Sequence, residues 1–291
     1  MSALFGPAGN DEQFAALKYK GTLDIPKYVS SLGLTAYEYQ CGRGVNIGSD
    51  KAEEFGKLAK EKNIKLSLHA PYYISMSGVE KEKRLNSVNY ILASAEAVNW
   101  MGGDRIVVHT GSCGKISREE ALDLAKDTMK IALNALDEKG LGHIHICPET
   151  MGKINQLGTL YEVMELCKLD ERLIPCIDFG HLNARTRGEL VADKNGYEKI
   201  LDTIHNELGE YRLKNFHSHF SKIEYTEGGE KCHLTFEDEV FGPDFEPLME
   251  LVAKKNLSPT FICESAGTQG ADALSMMKSY TKYREKWQNS R

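Results

Sequence analysis

Nine histidines and forty-two carboxylates in 291 residues would be ordinary were they scattered. Several instead stand at the ends of short apolar runs: His69 closes "KLSLH", His109 closes "RIVVH", Glu149 closes "HICPE", Asp178 closes "IPCID", and Glu264 closes "FICE". His217 and His219 sit two apart in "HSHFSK", so both project to the same face of a strand. Imidazole nitrogen and carboxylate oxygen together suit zinc, manganese or iron, and carboxylates can bridge two ions. His181 follows Asp178 by three residues in "DFGH", a spacing that lets the two serve neighbouring metals. A long polar stretch, roughly 220–243, adds Glu230 and His233.

Residues from six segments so far apart in sequence can meet only if a scaffold gathers strand ends. Strand candidates are Ala3–Phe5, Ala36–Gln40, Ile64–His69, Arg105–His109, His143–Glu149, Leu173–Asp178, Leu213–His219 and Thr260–Glu264. Helical periodicity fills the intervals. Leu85, Val88, Leu92, Ala95, Val98 and Met101 make one stripe over 80–101, and Leu122, Ala125, Met129, Leu133 and Leu136 another over 118–137, behind a Ser117–Glu120 capping box. A last helix is expected at about 271–287, ending in a polar tail. Eight strand–helix alternations predict a single-domain (β/α)8 TIM barrel spanning residues 1–291, whose chemistry lies at the C-terminal ends of its strands. No Gly-x-Gly-x-x-Gly turn or Walker A motif supports a nucleotide-binding doubly wound sheet.

Composition bounds the remainder. Net charge is −6, which weighs against a polyanion partner, although bound cations would reverse the sign locally. Seven cysteines without a CxxC pair suggest a reducing compartment. With no basic, apolar leader at Met1–Gly6 and no span of about 20 apolar residues, a cytoplasmic protein with no membrane association and no obligate protein partner is expected. His143, His145, Cys147 and Cys176 read as packing residues, His205 as a surface histidine, and Arg185 and Arg187 as solvated charges or phosphate contacts. For strand seven, His217 is favoured as the ligand over His219.

These motifs resemble the endonuclease IV family of abasic-site nucleases, within the wider xylose-isomerase-like barrels. The resemblance runs from about residue 20 to 265 and rests on "LHAPYY", "VVHTGS", "CPET", "NQLGTL", "IDFGH", "HSHFSK" and "ICES". It implies a zinc-dependent phosphodiester hydrolase acting on abasic sites in DNA, with two or three zinc ions, or manganese. His69, His109 and Glu149 would hold one ion. Glu149 would bridge to a second on Asp178, His217 and Glu264, and His181 with Glu230 and His233 would hold a third. Glu149 and Glu264 would be catalytic, and Arg43 and Tyr72 would contact the DNA. The chain carries Glu230-Lys231-Cys232-His233 in place of the family's Asp-x-His, and "HSHFSK" lacks its asparagine–aspartate pair. Sugar isomerases and epimerases of the wider group use a smaller site, built from counterparts of Glu149, Asp178, His217 and Glu264. A divalent-metal sugar isomerase or epimerase is therefore the alternative.

Overall fold

The computed structural model describes residues 2–288. Met1 and the end of the expected polar tail lie outside them. Eight parallel strands form the centre: β1 (Leu4–Pro7), β2 (Ala36–Gln40), β3 (Lys65–His69), β4 (Arg105–Val108), β5 (His145–Pro148), β6 (Cys176–Asp178), β7 (His217–Phe220) and, after a hairpin of β8 (Lys222–Thr226) and β9 (Gly229–Leu234), β10 (Thr260–Cys263). Hydrogen bonding runs β1-β10-β7-β6 in one arc and β2-β3-β4-β5 in the other. Parallel bridges Ala8–Glu38 and Glu149–Cys176 join the arcs at both seams, so the sheet closes on itself. A closed parallel sheet wrapped by helices is the TIM barrel that the alternation predicts.

The helices form because their buried faces match the sheet. Helix Lys81–Trp100 buries Val88, Ile91, Ala95 and Val98, while Leu85 of the expected stripe is exposed. Its contact face is built largely of small residues, including Ser87, Ser94 and Ala97, which an apolar stripe does not capture. Helix Arg118–Glu138 buries the expected Leu122, Ala125, Met129, Leu133 and Leu136, and the Ser117 hydroxyl accepts from the Glu120 N–H at 3.1 Å. The complete reciprocal capping box lies elsewhere, between Thr159 and Glu162.

Two expectations need correction. The strand expected at 213–219 begins later, because the helix before it continues to Asn215. The stretch expected to be irregular at 220–243 contains the antiparallel β8–β9 hairpin. Among the described residues all seven cysteines are free, and no helix is long and apolar enough to cross a membrane.

Candidate metal centre

At the C-terminal mouth of the barrel a cavity of about 320 Å³ is lined by His69, His109, Glu149, His181, Glu230, His233 and Glu264, with Tyr72, Met151, Lys153 and Gln156 at its walls. Strand geometry explains the convergence. His69 and Asp178 are the last residues of β3 and β6, while His109, Glu149 and Glu264 each follow their strand directly.

Glu149 lies at the centre. Its Oε2 is 3.3 Å from His69 Nε2 and 3.2 Å from His109 Nε2; its Oε1 is 3.0 Å from His219 Nδ1 and 3.3 Å from His181 Nδ1. Each oxygen of one carboxylate thus faces a different pair of histidines. His69 gives its Nδ1–H to the Ala70 carbonyl at 2.8 Å, which leaves Nε2 as the nitrogen aimed into the site. His181 likewise gives Nδ1–H to the Thr150 carbonyl at 3.0 Å, and its Nε2 faces Glu230 at 3.4 Å.

Asp178 has two roles. Its Oδ1 accepts from the His181 N–H at 2.6 Å, capping helix Phe179–Arg185 and fixing His181 one turn on. Its Oδ2 is buried without a hydrogen bond, although His181 Nδ1 is 3.2 Å away. A buried carboxylate oxygen left without a donor is costly in a folded chain unless something cationic meets it.

The electrostatics agree. Burial pushes Glu149 up, yet His219, His109 and His181 together hold it well below the usual carboxylate range. Burial and the facing carboxylates Glu264 and Glu149 push Asp178 up to about 6 despite the opposing pull of His181. Burial works against a charged His181, but Asp178, Glu149 and Glu230 lift it to about 10. Buried carboxylates and imidazoles thus crowd one another in a way that divalent cations relieve.

Three sets of ligand atoms in this mouth are close enough to share an ion, each within 4.8 Å of its partners: His69–His109–Glu149; Glu149–Asp178–His219–Glu264; and His181–Glu230–His233. The expected metal ligands are therefore brought together with one exception. His219, not His217, faces Glu149 and Glu264, with Nδ1 3.5 Å from Glu264 Oε2. His217 lies deeper, pairing with Cys176 and Thr260 across the sheet, whereas His219 pairs with Asp178 and Ile262. That register puts His219 at the level of the strand ends. His217 approaches Cys176 and His219 in a deeper set, and its Nε2 is 2.9 Å from Glu38, a residue that the sequence reading passed over. Its sequence signal was its place two residues before Gln40, on the same inward face of β2.

Glu230 and His233 arrive on the β8–β9 hairpin. The Glu230 N–H donates to the Gly152 carbonyl at 3.2 Å, and His233 Nδ1 is 2.8 Å from the Ser221 hydroxyl. Tyr72 is 58% exposed on the rim, its ring 5.4 Å from that of His109. The Tyr72 N–H donates to the Gly42 carbonyl, placing the loop of exposed Arg43 beside it. Arg185 is partly buried, and its guanidinium is engaged by backbone rather than lining the cavity. It donates to the carbonyls of Met151, Lys153, Ile154 and Gln156, tying down the loop after β5. His145, partly buried in β5, pairs with the Arg172 carbonyl as a packing residue does, whereas His143, expected in the same strand, lies exposed in the turn before it and pairs with Asn99.

Residues 26–280 match the model of the xylose isomerase-like TIM barrel. The chain belongs to that family. Among relatives of this xylose isomerase-like barrel, an uncharacterized protein of Methanocaldococcus jannaschii is 34% identical over 96% of this chain and 97% of its own. A probable endonuclease 4 of Acholeplasma laidlawii is 30% identical over 47% of this chain and 48% of its own, so that match spans about half of either protein. In structure the barrel is similar to a D-tagatose 3-epimerase-like protein (TM-score 0.71, 18% identity, 97% of this chain and 98% of that one). It is also similar to endonuclease IV from Thermus thermophilus (TM-score 0.67, 18% identity, 97% and 98%). At those identities the structural likeness establishes the fold, and the chemistry must be argued from the site.

Proposed function

We propose that this protein is a zinc-dependent phosphodiester hydrolase acting on abasic sites in DNA. The observation that carries the reading is the sharing of Glu149 between two histidine sets, with His181, Glu230 and His233 forming a further set beside them. An epimerase-type site needs only Glu149, Asp178, His219 and Glu264, and leaves His69, His109, His181 and His233 without a task. Partial similarity to a probable endonuclease 4 supports the same choice.

In this reading His69, His109 and Glu149 hold one ion, Glu149, Asp178, His219 and Glu264 a second, and His181, Glu230 and His233 a third. The unbonded Asp178 Oδ2 and the mixed nitrogen–oxygen donors fit zinc, and also manganese. When bound, such ions acidify a water and neutralise charge that develops on a phosphate. The protein supplies the remaining work. Lys153, in the cavity wall, pairs with a phosphate oxygen, and Tyr72 and Arg43 on the rim fill the gap left by a flipped-out, base-less nucleotide. Unpairing at such a position is inexpensive, because no base pair is broken there.

The test is incision of a duplex carrying one abasic site, run with the wild type and Glu264→Gln. Cleavage by the wild type and its loss in the variant, with duplex binding retained, is the expected result. Undiminished turnover in the variant would refute the assignment. So would an inert duplex combined with solvent-hydrogen exchange into a ketose.

A further inference from the structure

Beneath the metal centre lies a carboxylate that neither the family resemblance nor the proposed reaction uses. Glu38 is fully buried in the barrel, and among the described residues its ion-pair partners are histidines alone. Its four acceptor positions are all taken. Oε1 receives Gln40 Nε2 at 3.1 Å and His219 Nε2 at 2.9 Å; Oε2 receives the Ser67 hydroxyl at 3.0 Å and His217 Nε2 at 2.9 Å. An ionised carboxylate only accepts, so both histidines must present Nε2–H to it. Burying this charge is tolerable because every lone pair is met.

The consequence concerns His219. With Nε2–H committed to Glu38, Nδ1 is the nitrogen left for a cation, and Nδ1 is the atom that faces Glu149 at 3.0 Å and Glu264 at 3.5 Å. Resting on the metal-centre reading above, we propose that Glu38 is a positioning residue: it fixes the orientation and tautomer of His219 so that Nδ1 meets the ion shared with Glu149, Asp178 and Glu264. A carboxylate behind a metal-bound imidazole also raises its basicity. His217 gains a function in this arrangement. It does not line the cavity; it holds the second oxygen of Glu38, which explains two histidines on one inward face of β7.

Glu38→Gln keeps the size of the side chain but turns one oxygen into an N–H2 donor, which must confront an Nε2–H of His217 or His219. Zinc affinity, measured by competition with a chromogenic chelator, should fall by about 10- to 100-fold for one ion, while an ion on His69 and His109 keeps its affinity. In the zinc-loaded wild type, ¹⁵N-histidine NMR should show His219 coordinated through Nδ1, with a hydrogen-bonded Nε2–H. That second measurement needs no variant to fold. Unchanged affinities in Glu38→Gln, or coordination of His219 through Nε2, would overturn the role of Glu38 and leave the metal centre standing. A wild type that binds no divalent metal would overturn both.

Discussion

Replacing Arg185 with alanine removes a guanidinium that holds the loop after β5 against the barrel mouth. Arg185 donates to the carbonyls of Met151 (2.8 Å), Lys153 (2.8 Å), Ile154 (3.0 Å) and Gln156 (2.9 Å). At about 1 kcal/mol net per hydrogen bond, the set would contribute about 4 kcal/mol. Two considerations lower that figure. Ile154 and Gln156 keep a second donor in Arg118, at 2.9 and 3.0 Å. Burial and the nearby Arg118 also disfavour the charged form of Arg185, pulling it below the usual arginine range. The expected loss is therefore about 2 kcal/mol, centred on Met151, whose carbonyl loses its donor, since the Lys153 carbonyl keeps the Gln156 N–H at 3.0 Å. Urea unfolding of the metal-free protein measures it, and amide exchange at 150–158 should accelerate, since this loop places Lys153 and Gln156 in the cavity wall. A loss below about 0.5 kcal/mol with unchanged exchange would refute the claim that Arg185 is structural.

Three further outcomes follow from the geometry. His219→Ala should lose the metal held by Glu149, Asp178 and Glu264, whereas His217→Ala should keep its metal count while unfolding at lower urea; elemental analysis and denaturation distinguish them. Gly229 has φ +89°, and a Cβ there would stand 2.2 Å from the Gly152 carbonyl oxygen, so Gly229→Ala should displace the hairpin, cost about 1–3 kcal/mol and weaken metal binding at His181, Glu230 and His233. Burial pushes Glu162 up, but bonds from Arg118 and the Gly158 and Thr159 N–H groups hold its carboxyl below the ordinary 4.5. A depressed carboxyl contributes stability above its unfolded value and loses it as pH falls through the folded one. Urea midpoints of the wild type should therefore drop below pH 4.5 more steeply than those of Glu162→Gln.

The barrel was legible because, after the first, the apolar runs end in a polar residue at the height where parallel strands open to solvent. That rule identified His69, His109, Glu149, Asp178 and Glu264, all of which reach the cavity or its immediate floor. It failed at β7, where helix continuation to Asn215 moves the strand start, and pairing of His219 with Asp178 and Ile262 decides which histidine reaches the mouth. Register is a property of neighbouring strands, so the segment 213–219 alone could not settle it. Glu38 was overlooked because it sits inside a strand, where a carboxylate needs partners from β3 and β7 that only the closed sheet provides. The β8–β9 hairpin left a signal in the alternation of "KIEYT" and in the Gly228-Gly229 turn, but its second strand, "GEKCHL", is largely polar, so the segment read as a loop.

The central claim is that Glu149 is shared by metal sites at the barrel mouth, and metal content per chain tests it most directly. Native mass spectrometry of the purified protein, beside Glu149→Ala, should show about three zinc ions in the wild type and the loss of more than one in the variant, because a single carboxylate serves two sets of ligands. One ion per chain in the wild type, or a variant that loses no more than one, would contradict it and turn attention to sugar substrates.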